Sequence, residues 1–379
     1  MFNCGIIGMF MRRGGIQRMF KKYFTMPLIL ILTAALVMTG CNTKKEPKEA
    51  LSSTAVEVMK ANSYMVTNKL KINDFKVNVP QVNQAQLGQT ISMLKNAEIT
   101  MKQVVQKEPM QSEAVIEFKA KSDDVEMSYK MPLIFTKDVF YIKIPEIPFL
   151  PLPESIMGKF IKFDLKEMAE QSGEKVNFDV LNSDKVQKMT AEISKEILNQ
   201  YDEAKYFKNV DKSEISLPDG FKPKQVVQFN ITNDNLNEAI EILITKALPK
   251  VLDIVNKEEY RTMLNVSEAE IADAKSNLSD MTQAELQNGL KVIKDAVKIN
   301  KLSLNTAIDS KNYPSYQETN FDIEIGDFKN SQTVQFSGTA TSEMTKINEK
   351  VEFEYGIPTD VITLKEIEEM FGNNNSFNY

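Results

Sequence analysis

The chain has 379 residues, 42% of them apolar and 26% charged, with 46 Lys and Arg against 52 Asp and Glu. It holds no His, which excludes a Ser-His-Asp triad, a Cys-His pair and any imidazole-ligated metal site. The charge is uneven. Arg12, Arg13, Arg18, Lys21 and Lys22 lie in residues 1–40 without an acid, so the rest carries 41 bases against 52 acids, a net charge near −11. That surplus argues against nucleic acid as a partner, which requires a basic stripe, and against electrostatic docking onto anionic lipid.

Residues 12–40 fall into three zones. Arg12–Lys22 is basic, Met26–Val37 is uncharged and apolar, and Met38-Thr39-Gly40-Cys41 is a small-residue cleavage site ending in cysteine. The apolar zone is shorter than the ~20 residues a spanning helix needs. Residues 1–40 therefore read as a signal peptide, and a start at Met11 or Met19 would give it ordinary length. An uncleaved anchor is the competing reading, because uncharged sequence runs from Tyr23 to Gly40. The cysteine directly after Gly40 and the polar run that follows favour cleavage. Only Cys4 and Cys41 are present, so the cleaved chain has no internal disulfide and relies on its core.

The Met38–Cys41 pattern resembles the lipobox of bacterial lipoproteins, with Met38 where that family prefers Leu. The resemblance implies a diacylglyceryl group on the Cys41 thiol, palmitate-type acyl chains, and a location on the extracytoplasmic face of the cell membrane of a Gram-positive bacterium. Two acyl chains anchor stably where one is marginal.

Residues 41–49, with one Pro among polar residues, read as a flexible tether. A single domain is expected over residues 50–371. It opens with a short helix at 50–61, with Val56 and Met59 on one face. Period-2 alternation follows. Tyr64, Val66, Leu70 and Ile72 share one parity. Ala114, Ile116, Phe118 and Ala120 alternate with Val115, Glu117, Lys119 and Lys121. Val125, Met127, Tyr129 and Met131 alternate with Glu126, Ser128 and Lys130. Such alternation marks antiparallel strands with one buried and one wet face. Further strands are expected at 97–106, 138–144 and 159–165, with turns at Lys107-Glu108-Pro109 and Ser122-Asp123-Asp124. Ile144–Pro153 carries four prolines and predicts an extended apolar loop.

The segment from about 184 to 297 reads as a helical centre. Val186, Met189, Ile193, Ile197 and Tyr201 stand at helical spacing. A strand is expected at 224–232, then a helix capped by Asp234 or Asn235 and kinked at Pro249. Residues 257–281 are polar, helical or loose, and Thr282 caps a last helix bearing Leu286, Leu290, Ile293 and Val297. Strands return at 299–309, 315–326, 331–344 and 350–355. Residues 372–379 predict a disordered tail.

The lipobox, the strand opening Asn62-Ser63-Tyr64, the runs Phe140–Pro145 and Gly158–Asp164, and Ile347–Phe353 together resemble the LolA/LppX-type lipoproteins, over most of residues 50–357. The resemblance implies an α+β fold: a strongly curved antiparallel β-sheet, an open half-barrel, with helices covering the concave face. Some members hold acyl lipids there, and the family supplies no catalytic residues.

The expected function is therefore non-enzymatic binding or carriage of a lipid or other apolar ligand, with Tyr64, Val66, Ile116, Phe118, Met127 and Tyr129 as lining. The alternative is an interaction or structural module in which the same residues fill a dry core. No cofactor is expected. The acidic pairs Asp123-Asp124 and Glu258-Glu259 lack calcium-loop spacing, and there is no Walker loop.

Overall fold

A computed structural model describes residues 44–78, 88, 91–95, 97–121, 126–146, 156–172 and 183–371. The leader, Cys41, the turn at Ser122–Asp124, most of the proline-rich loop and the tail lie outside the described residues.

Pro47–Met59 forms α1. Pro sits in its first turn, where a missing N–H costs nothing, and Glu49 faces the positive end of the helix dipole. The expected tether is corrected at its C-terminal end. The helix starts inside residues 41–49, Pro47 is buried, and the Lys45 N–H donates to Gln225 Oε1 at 3.3 Å. Strands β1 (Ser63–Asn78), β2 (Glu98–Gln106), β3 (Gln111–Lys121), β4 (Glu126–Thr136), β5 (Val139–Lys143) and β6 (Phe160–Asp164) follow as an antiparallel meander. β4 runs beyond the expected Met131, through Pro132, because the apolar alternation continues in Leu133 and Phe135.

The centre holds α2 (Leu165–Ser172), α3 (Ser183–Asn199), the single turn α4 (Glu203–Tyr206), β7 (Phe207–Asn209) and β8 (Gln225–Asn230). Helix α5 (Leu236–Ile242) passes through a π-helical turn (Leu243–Ala247) into α6 (Leu248–Val255). The widened turn lies immediately before Pro249, whose ring would otherwise meet the carbonyl of Thr245. Asn235 makes no cap bond. It instead staples the preceding loop, accepting from the Thr232 N–H and donating to the Asn230 carbonyl. α7 (Glu258–Leu264), α8 (Glu268–Ser279) and α9 (Gln283–Ala296) complete the centre. Strands β9 (Val297–Ile308), β10 (Tyr316–Asp327) and β11 (Gln332–Thr345) form a second meander, ending in β12 (Val361–Thr363) and α10 (Leu364–Phe371).

The fold is α+β. The strands build one open, twelve-stranded sheet ordered β12-β6-β5-β4-β3-β2-β1-β11-β10-β9-β8-β7, antiparallel except where β12 meets β6. The two meanders join where β1 pairs β11. Bulges fall after Ile72 in β1 and at Asn300 in β9, opposite the Asp322–Ile323 step of β10, devices that add twist and bend.

The strand expected at 350–355 does not form. Residues 351–353 have no regular structure, and the N–H groups of Glu354, Tyr355 and Gly356 donate to the Glu113 carboxylate at 2.7, 3.0 and 3.0 Å. Glu113 is 1% exposed. One buried carboxylate satisfies what a β-ladder would otherwise have satisfied.

The main helical core packs Leu51 and Ala55 of α1, Ala191 of α3, Tyr206, and Ala239 and Ile242 of α5 onto Phe207, Val227 and Ile308 of the sheet. A second cluster holds Met189 and Ile193 against Tyr260 and Met263. Among the described residues, no helix is long and apolar enough to cross a membrane.

Candidate functional site: an apolar face of the sheet

Residues paired across antiparallel strands present their side chains to the same face, so the register sorts the sheet. Leu70 pairs Ile99, Ile99 pairs Phe118, and Phe118 pairs Tyr129. The next row runs Asn68, Met101, Ile116, Met131, and the next Val66, Gln103, Ala114, Leu133, Ile142, Ile161. The last row at that end is Tyr64, Val105, Ser112, Phe135, Phe140, Phe163. Ala120 pairs Met127 on the same side.

On the other flank of β1, Leu70 pairs Ala340 and Ile72 pairs Gly338. Phe321, Ile323 and Ile325 of β10 pair Gly338, Phe336 and Val334, and face Leu302, Ile299 and Val297 of β9. Across the described strands this face carries no Lys, Arg or Glu, and one Asp, Asp327, which ends β10 opposite Gln332. Lys69, Lys71, Glu117, Lys119, Lys130, Asp322, Glu324 and Glu343 all occupy the opposite parity.

All six residues read from the sequence as lining (Tyr64, Val66, Ile116, Phe118, Met127 and Tyr129) stand on this face. β1 contributes the first two and β3 and β4 the others, with Ile99 and Met101 of β2 between them. All six are half-buried. The sequence reading placed no lining on β9, β10 or β11, although Phe321 and Ile323 showed the right alternation. Their bulged register, which joins them to the same face, has no local signature.

Helices close the face where β7 and β8 lie, through Phe207, Val227 and Ile308. Elsewhere it is partly open: Ile99 is 41% and Ile325 43% exposed. Phe135, Phe140 and Phe163 stack in a ladder with ring centroids 4.6 and 5.3 Å apart. Phe321 lies over Gly338, where a Cβ would meet its ring at 2.5 Å and the Lys71 carbonyl at 2.4 Å. Helix α3 touches the face from above, Gln187 Nε2 donating to the Tyr64 hydroxyl at 3.3 Å. Burial pushes the Tyr64 hydroxyl above the usual phenol range, and the Gln187 bond opposes it. A cleft of about 250 Å³ opens at the opposite end, between Leu236, Lys294, Val297, Lys298 and Phe328.

Among the described residues, no group of three or more Cys, Asp and Glu is placed to hold a metal ion. Glu258 and Glu259 lie in the first turn of α7, where Glu259 accepts from Lys188 Nζ at 2.9 Å. Such an array can displace water from apolar matter; among the paired rows from Tyr64 to Ile325 it has no charge with which to select a polar ligand. Comparison with protein-family models and with curated proteins finds no match.

Proposed function

We propose that this chain is a lipid-anchored envelope protein that binds an apolar ligand, a lipid or acyl chain, on the apolar face of its sheet. The observation that carries the reading is the segregation of charge across the paired strands, broken only by Asp327 at the end of β10, combined with half-exposure of the apolar side. A plain two-layer core would bury that side throughout; a contiguous apolar surface left partly open marks an interaction site. In this reading the bulged sheet curves into a half-barrel with the apolar face concave and helices as a lid, similar to the LolA/LppX-type lipoproteins. The leader ends before Cys41, whose acyl chains hold the domain at the outer face of the cytoplasmic membrane. No catalytic step is involved. Affinity grows with ligand chain length, by roughly 0.8 kcal/mol per buried methylene.

The test is native mass spectrometry of the protein purified from membranes. Lipid-sized adducts, and uptake of added fatty acids in order of chain length, are expected. A bare mass that takes up none of them overturns the reading. The fate of Cys41 is read separately: Cys41→Ala moves the protein from the membrane to the soluble fraction if the anchor is lipid.

A second reading, an interaction module whose sheet is filled by its own chain, is favoured by the size of the cleft. About 250 Å³ lies below the ~300–1,000 Å³ of ordinary ligand pockets. Absence of lipid uptake together with a protein crosslinked to the Ile144–Pro153 segment would support it.

A further inference from the structure

We propose that the end of the sheet carrying Tyr64, Phe135, Phe140 and Phe163 faces the bilayer and is the mouth through which acyl chains of the membrane reach the apolar face. The inference rests on the lipid anchor at Cys41 proposed above.

It follows from where the chain leaves the structure. Three peptide steps separate Cys41 from Lys44, the first described residue, and they span at most about 11 Å when fully extended. The next residue is fixed at both polar groups of its backbone. Lys45 donates its N–H to Gln225 Oε1, and its carbonyl accepts from Gln225 Nε2 at 2.8 Å. Gln225 opens β8 opposite Ile308, the last residue of β9. The anchor is thus held at one defined end of the sheet.

The same end carries the aromatic row. From Gln225 the end runs through Ile308, Ser315 and Met344 to Val66 of β1, and the next row outward from Tyr64 goes on to Val105, Ser112, Phe135, Phe140 and Phe163. Helix α1 links the two parts. Its thirteen residues rise about 20 Å, close to the four strand spacings of about 4.8 Å from β8 to β1. It starts beside Gln225 and ends where Lys107 Nζ of the β2–β3 turn donates to the Met59 carbonyl at 2.8 Å. It therefore lies along the end over β8–β1 and stops short of the end of β2–β6, where the Phe135-Phe140-Phe163 ladder stands and where α2 and α10 follow β6 and β12. Ile99 and Ile325 mark the opposite end, near the start of β2 and the finish of β10.

The chain has no Trp, so single substitutions serve as reporters. Phe140→Trp and Phe163→Trp report the proposed mouth; Ile99→Trp and Ile325→Trp report the far end. The full chain, expressed in a bacterium that processes lipoproteins, is reconstituted in phosphatidylglycerol–phosphatidylethanolamine vesicles bearing a nitroxide on the lipid headgroup. A headgroup label cannot slide along an apolar face, so quenching measures nearness to the surface. Quenching at least twofold stronger at Phe140→Trp than at Ile325→Trp is expected, and the second pair repeats the comparison if either variant fails to fold. Equal quenching, or the reverse order, in protein whose intact mass shows diacylglyceryl on Cys41 overturns the membrane-facing mouth and leaves the anchor standing. An unmodified Cys41 overturns both.

Discussion

Glu113 is a buried charge whose position is explained by what it receives rather than by an ion pair. Its two oxygens accept from three successive N–H groups of residues 354–356. Removing the charge while keeping the shape isolates that role. Glu113→Gln puts an amide N–H₂ against backbone donors and should cost about 1.5–3 kcal/mol, read as a lower urea midpoint with unchanged m-value. A change under about 0.5 kcal/mol would show that the 351–360 segment is held by other contacts. The buried tyrosines act in the alkaline range. Burial is the first cause that raises Tyr201, Tyr206, Tyr260 and Tyr316, and it pushes Tyr206 and Tyr316 up to about 12. A phenol whose folded value exceeds its unfolded value near 10 binds its proton more tightly in the folded state. That contribution is complete below pH 10 and disappears as pH rises through 12. Stability measured by urea should thus be level to about pH 9 and fall from pH 10 to 12, and Tyr206→Phe should make the fall shallower. A level profile to pH 12 would contradict this assignment.

Helix ends were only partly legible, and the reason differs from one helix to the next. Thr282 could be read as a cap because an apolar stripe follows it, Leu286 to Ile293. The structure completes the capping box, Glu285 N–H donating to Thr282 Oγ1 at 3.2 Å and Thr282 N–H to Glu285 Oε2 at 2.9 Å. Ser267 and Glu270 form the same box, yet α8 buries only Ile271 and so shows no periodicity to announce it. Thr282→Ala should cost about 1 kcal/mol and speed amide exchange in the first turn of α9. Unchanged exchange there would mean that packing on β9 and β10, not the cap, holds the helix. Strands were legible where one face is wet and the other apolar, as in β1, β3 and β4. β7 and β12 are three residues each, too short for alternation to speak. The expected strand at 350–355 had the alternation, but the N–H groups of 354–356 go to the Glu113 carboxylate and not to a neighbouring strand. Parity placed the six lining residues correctly on one side. Their union with Phe321 and Phe336 depends on β1 pairing β11, a contact between residues far apart in the chain.

At the scale of the whole molecule, the described strands keep every charged residue but Asp327 on one face, and the proposed function requires that division. Adjacent residues of β3 test it, because Phe118 and Lys119 differ in little but the face they occupy. Phe118→Glu places a carboxylate among Ile99, Tyr129 and the neighbouring rows, where an acyl chain would have to desolvate it. It should weaken fatty-acid uptake more than tenfold, about 1.4 kcal/mol. Lys119→Glu changes the charge of the exposed face by two and should leave uptake within twofold. Thermal melts of both variants separate lost binding from lost folding. If Phe118→Glu fails to fold, Ile99→Glu carries the comparison, since a side chain 41% exposed tolerates charge without unfolding the sheet. Equal effects from the two faces would mean that the ligand sits elsewhere than on the apolar side. Loss confined to Phe118 and Ile99 would tie binding to the surface from which the described strands exclude every charge but Asp327.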